Sequence, residues 1–190
     1  MPPKAKFNRE EIVSAAMKIV RKEGGRALTA RALAAELGTS TAPIFTAFTS
    51  IDDLTAAVKE RAEALYTSYL ARVMEHPLPF NGAGLAYIRF AKEEPLLFRF
   101  LFIECDTPIP VATHYLPGED KNEKAVRGAL ESGYDYETEE ARYIYNYLSV
   151  YAHGLAVLYA YGQCVFSEED VDRMLSEVFN ALTNNNSTNK

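Results

Sequence analysis

The sequence has no tryptophan, two cysteines and three histidines, and each shortage closes off a class of chemistry. Cys105 and Cys164 form no CxxC pair, so neither a zinc knuckle nor a redox dithiol can be built from them, and both are expected to be reduced structural thiols. His76, His114 and His153 share no metal-ligand spacing; no metal and no cofactor are expected. A Gly-rich phosphate loop, a nucleophile elbow, paired carboxylates at useful spacing and a His-based triad are all missing, which argues against an enzyme. There is no basic leader followed by an apolar core and a cleavage site. The most apolar stretch, 143–166, is interrupted by Asn146, Ser149, His153 and Gln163, so the expectation is a soluble, cytoplasmic protein with no membrane partner.

What is present is a chain of 190 residues, 48% hydrophobic and 24% charged, enough for one compact body with a small appendage. Twelve Tyr and ten Phe, most of them after residue 65, exceed what a minimal core needs and suggest a lined cavity. The net charge of −6 argues against nucleic acid until its distribution is read. Up to Phe48 there are eight Lys or Arg against four Glu, a local charge of +4, while the remainder carries −10. Only the front end suits phosphates.

After a short basic arm with Lys4 and Lys6, Asn8 and Glu11 make a capping box for a first helix whose apolar face holds Ile12, Ala16, Ile19 and Val20. Gly24 and Gly25 end it. Thr29 caps a short second helix with Leu33 and Leu37, Gly38 breaks it, and Ser40 is read as the cap of a third running through Ile44 and Phe48. Pro43 fits the first turn of that helix, where a missing N–H costs little. Two short helices joined by a Gly-containing turn, behind a longer supporting helix, make a helix-turn-helix. Asp52 and Asp53 favour the start of a fourth helix with Leu54, Val58, Leu65 and Tyr69 on one side, and further helices are read at about 81–93, 95–104, 119–132, 138–161 and 168–183. Ser167 caps the last.

Leu28 through Ser40 (LTARALAAELGTS), with Ile44 to Phe48 and Asp53-Leu54, resembles the DNA-binding domain of the TetR family over residues 9–55. A weaker likeness, in Tyr87 to Lys92 with Pro95 and Phe98 and again in His153-Gly154-Leu155, is to a TetR subgroup with a Trp-His-Gly signature, where Ala152 here takes the Trp position. The resemblance implies an all-α fold of about nine helices: a three-helix helix-turn-helix domain (1–50), joined by a linker helix to a C-terminal helical bundle for ligand binding and dimerisation (51–183); the low-complexity tail (184–190) is read from its composition as disordered. It implies a ligand-responsive transcriptional regulator, a repressor that binds a pseudo-palindromic operator as a homodimer and is released by a small-molecule effector.

On that pattern the third helix enters the major groove. Ser40, Thr41, Ala42, Pro43, Phe45 and Thr46 are the DNA-facing residues there, with Thr methyls and Ala able to touch thymine methyls; Lys6, Arg9, Thr29 and Arg31 are the phosphate candidates. Three departures remove polar groups that usually meet the DNA backbone: Phe45 where Tyr is usual, Ala47 where His is usual and Ile51 where Lys is usual. They lower the expected affinity and salt dependence, and they keep open an alternative, a helical small-molecule-binding or adaptor protein with weakened DNA binding.

The helix at 138–161 has two apolar sides, one with Ile144, Leu148, Tyr151, Leu155 and Leu158, the other with Tyr143, Tyr147, Val150, Gly154, Val157 and Tyr161. One side therefore needs a partner, and the expectation is a homodimer in which this helix and the last one (Val171, Leu175, Phe179, Leu182) meet their symmetry mates. Tyr87, Phe90, Phe98, Phe102, Tyr115, Tyr143, Tyr147 and Tyr151 are the residues from which an effector cavity would be built.

Overall fold

The computed structural model describes residues 7–72, 79–104 and 138–187. Among them are eight α-helices, one short 3₁₀ turn and no strand: α1 (Arg9–Glu23), the 3₁₀ turn (Gly25–Ala27), α2 (Ala30–Glu36), α3 (Ala42–Ala47), α4 (Ile51–Ala71), α5 (Pro79–Glu93), α6 (Pro95–Phe102), α7 (Thr138–Ala160) and α8 (Glu168–Ser187). The all-α reading holds. The helix expected at 119–132 lies outside the described residues, and the last helix runs to Ser187, past the apolar periodicity that ends at Leu182.

The chain divides into two compact units, 1–67 with 94–105, and 68–93 with 106–190, the first division falling inside α4. In the first unit α1 buries Ile12, Ala16 and Val20 completely, and it packs against α2, the 3₁₀ turn and α6. Helix α6 begins at Pro95 and is almost wholly apolar (PLLFRFLF), with Leu97, Phe98, Phe100, Leu101 and Phe102 all buried. Two long-range contacts hold it to α1 and to the 3₁₀ turn. The Arg21 guanidinium forms a two-pronged ion pair with Glu94, its Nε donating at 2.8 Å. The Phe100 ring lies so close to Gly25 that a Cβ there would stand 2.4 Å from Phe100 Cδ2. Gly24, at φ +87°, makes the left-handed turn that starts this segment.

In the second unit α5 packs on both α7 and α8, and α7 on α8. Phe90, Ala91, Ile144, Leu148 and Leu175 are fully buried between them. Gly84 allows the close approach of α8, since a Cβ at this position would meet Leu175 Cδ1 at 3.0 Å. The Arg89 guanidinium bonds Glu168 at the start of α8, and Tyr159 donates to the Phe166 carbonyl at 2.5 Å, fastening the α7–α8 connection to the helix before it. Burial above all pushes the Tyr159 phenol up to about 12, so it stays a donor across the physiological range.

Candidate nucleic-acid interface and effector region

Local chemistry fixes α1 to α3. Asn8 Oδ1 accepts from the Glu11 N–H at 2.9 Å while Glu11 Oε2 accepts from the Asn8 N–H at 2.8 Å, the reciprocal box the sequence predicts. Thr29 Oγ1 accepts from the Ala32 N–H at 3.1 Å and caps α2. The end of α2 is a Schellman motif: Gly38, at φ +60°, donates to the Ala35 carbonyl and Thr39 to the Ala34 carbonyl. That turn delivers the chain into α3.

Ser40 does not cap α3. The cap position is Thr41, with no side-chain cap bond, and the helix opens at Ala42. A cap side chain accepts from the N–H two or three residues on; Pro43, three residues after Ser40, has none, which removes one of the two bonds Ser40 could make. The missing side-chain bond leaves the Thr41 hydroxyl available to an outside partner. Ser40, Ala42, Phe45 and Thr46 are exposed, and Thr41 and Pro43 half-buried, while Ile44 and Phe48 anchor the helix from beneath at 1% and 2% exposure. Phe45 is 49% exposed; every other exposed large hydrophobic side chain among the described residues falls in 143–166.

The phosphate candidates separate by their partners. Arg9 is engaged within the protein: its Nη1 donates to the Ala47 carbonyl at 3.2 Å, its Nη2 lies 3.6 Å from the Asp53 carboxylate, and its guanidinium sits 4.1 Å over the Phe48 ring. It ties the start of α1 to the end of α3 and the start of α4. Asp53 is itself fixed there, accepting from the Thr49 N–H at 2.9 Å, a bond that with the Arg9 charge holds its carboxyl below the usual value. Arg31, by contrast, is exposed on α2 and has no partner among the described residues. Thr29 is exposed, its lone pair on Ala32 and its proton free for an acceptor. Lys6 lies outside the described residues.

The Arg9 strut is what sequence reading missed. Its partners stand 38 and more residues away, and only the coincidence of a cation, an acidic residue and an aromatic in one small domain hinted at it.

The aromatic residues proposed for an effector cavity fall into separate places. Phe98 and Phe102 belong to the first unit, in contact with each other at 5.2 Å, and Phe102 is met edge-on by Tyr66 at 5.4 Å. Tyr87 and Phe90 are buried in the second unit. The Tyr87 hydroxyl shares a 2.9 Å hydrogen bond with His153 Nδ1, and burial pushes the His153 pKa down, so the ring is neutral at neutral pH. Phe90 meets Tyr69 edge-on at 5.3 Å, and the Tyr69 hydroxyl donates to Glu93 at 2.8 Å. Tyr143 and Tyr147 stand on the surface of α7, 43% and 54% exposed, with ring centres 4.5 Å apart; Tyr151 is half-buried. Tyr115 and Cys105 lie outside the described residues. The second unit also holds a cleft of about 80 Å³ lined by Leu85, Ile88, Arg89, Lys92, Tyr159 and Val171 among others, well below the several hundred Å³ of an ordinary small-molecule site.

The outward side of α7 is one apolar stripe. Tyr143, Tyr147, Val150, Leu158 and Tyr161 are all exposed, and a Cβ at Gly154 in their midst would touch nothing within 4 Å.

A helix-turn-helix on a three-helix frame, with small and apolar side chains outward on the last helix, defines a DNA-binding domain class. Residues 12–58 match the family model of bacterial regulatory proteins, tetR family. The fold of the whole is similar to a TetR-like transcriptional regulator from Rhodococcus sp. RHA1, with a TM-score of 0.62 at 17% identity over 96% of this chain and 99% of that one. No curated protein matches the chain. No helix among the described residues is long and apolar enough to cross a membrane.

Proposed function

We propose that this regulator is a cytoplasmic homodimeric repressor whose two α3 helices read a pseudo-palindromic operator and whose second unit binds a small-molecule effector. The observation that carries the DNA reading is the outward set of α3, Thr41 without an internal cap bond beside exposed Ala42, Phe45 and Thr46, together with the exposed cation Arg31 on α2, unpartnered among the described residues. Arg31 and Thr29 are the phosphate contacts, with Ser40 and Lys6 at the edges, and Arg9 acts first as the strut that sets the angle of α3. Two such helices reach successive major grooves when they stand about 34 Å apart.

The apolar stripe of α7 supports the homodimer, because a second copy meeting it about a two-fold axis covers the same residues on both chains. Gly154 at its centre lets the two backbones approach. Domain boundaries follow the same division of labour, 1–50 for DNA and 51–183 for dimerisation and effector.

For the effector, the Tyr87–His153 pair of the second unit, Tyr87 buried and His153 half-buried, offers a hydroxyl and a neutral imidazole as polar contact points. An effector that favours one spacing of the two α3 helices lowers operator affinity by its preference between the two states. Helix α4, continuous through the division between the units, is the natural lever.

The test is anisotropy on a duplex enriched from a random library at low salt. Arg31→Ala weakens binding and flattens the slope of log affinity against log salt by about one, whereas Thr41→Ala changes sequence preference. A variant pair that binds like the parent refutes the assignment of α3 and α2 to these roles.

A further inference from the structure

From Leu37 through Ile51 the chain has no charged and no amide side chain. The pairings that specify guanine, adenine and cytosine in the major groove need Arg or Lys, Asn or Gln, and Asp or Glu respectively. None is present on α3 or on the turns to either side of it. What the exposed face offers is the Ala42 methyl, the Thr46 side chain, half of the Phe45 ring and, at its edge, Pro43; the Ser40 and Thr41 hydroxyls at its start can bond donors and acceptors alike and so discriminate little between bases. Thr46 is restricted further, because its hydroxyl donates to the Ala42 carbonyl at 3.0 Å. It retains a lone pair and its methyl but no proton for a base. The chain up to Phe48 carries a net charge of +4, which suits a polyanion, yet α3 itself presents no charge to it.

The apolar feature that base pairs display in the major groove is the C5-methyl of thymine. From this, and resting on the reading that α3 lies in that groove, we infer that the protein recognises its operator chiefly through thymine methyl groups packed on Phe45, Thr46 and Ala42. Thymines at the α3 contact positions then carry the specificity, and 5-methylcytosine, which places the same methyl at the same point, substitutes for them better than cytosine does. Phe45 is thereby a specificity residue: in the protein its ring is half exposed to water, and against methyl groups that exposure ends.

The test replaces thymine by deoxyuridine, position by position, in the duplex enriched by the parent protein. Each contacted methyl removes about 0.8 kcal/mol, roughly fourfold in affinity, and a symmetric replacement in both half-sites roughly fifteenfold. Thr46→Ser keeps the hydroxyl and its bond to Ala42 while deleting the methyl, and Phe45→Ala trims an exposed ring; both lower the thymine-to-uracil ratio toward one. A general effect of uracil on duplex shape would persist in both variants and would overturn the inference. So would equal binding of thymine and uracil duplexes, with the operator reading left standing. Absence of binding to any duplex removes that reading and the inference with it.

Discussion

Replacing Tyr147 by Glu should convert the proposed dimer into a monomer without unfolding the chain. Tyr143, Tyr147 and Tyr161 are 43%, 54% and 47% exposed, and Val150 is 47% exposed. A whole aromatic side chain covers about 150–250 Å², so these four present roughly 350 Å² of apolar surface on each copy. Covering both copies yields about 17 kcal/mol at ~25 cal/mol per Å², against an association cost of about 4–15 kcal/mol. Dimerisation is then favourable but not by a wide margin. Losing Tyr147 removes ~100 Å² on each side, about 5 kcal/mol in all, since a two-fold interface counts every substitution twice. That is between three and four orders of magnitude in the dimer dissociation constant, with like charges adding to it. Sedimentation velocity across a dilution series reads the change, and far-UV circular dichroism checks the helices. An unchanged dimer in the variant, or a parent that is monomeric at micromolar concentration, refutes the argument.

Gly25→Ala forces a Cβ to 2.4 Å from the buried Phe100 ring; it should cost about 1–3 kcal/mol, seen as a lower melting temperature that Phe100→Leu partly restores. Arg9→Ala loses the Phe48 stacking and the bond to Ala47, about 1 kcal/mol or more, and should weaken operator binding even at high salt because α3 is no longer held in place. His153 has a folded pKa pushed below its usual value by burial, so the unfolded chain takes up the proton first. Its contribution is present above the unfolded value of about 6.5 and lost as pH falls through it; thermal melts between pH 7 and pH 5 should decline less in His153→Gln than in the parent. Asp170 is held below the carboxylate range chiefly by its bonds to Ser167, so Asp170→Asn should remove stability that the parent loses only as pH falls below about 4.

Much of the first unit was legible because its signals are local. The Asn8 and Glu11 box, the Thr29 cap and the Gly38 stop act within five residues, and all three occur as read. Ser40 failed: the helix opens one residue later, behind Thr41, and the absent N–H of Pro43 removes one of the two bonds a Ser40 cap could make. What periodicity cannot carry is the choice of neighbour. Nothing in PLLFRFLF says that α6 packs with α1, because the Arg21–Glu94 pair spans 73 residues and the Gly25–Phe100 contact is nearly as distant. Likewise Tyr143 and Tyr147 recur at helical spacing as a cavity lining would, and only the positions of α5 and α8 put them on the outer side of α7.

The claim at the centre of the account is that α3 of this chain reads duplex DNA in a two-fold symmetric manner. Selection of the purified full chain on random duplexes at low salt tests it most directly. The account predicts an enriched pseudo-palindrome, rich in thymine where α3 lies, with half-sites about one helical turn apart. Enrichment of nothing above bulk DNA would contradict it and would leave the second unit, as a small-molecule-binding or adaptor module, to account for the function.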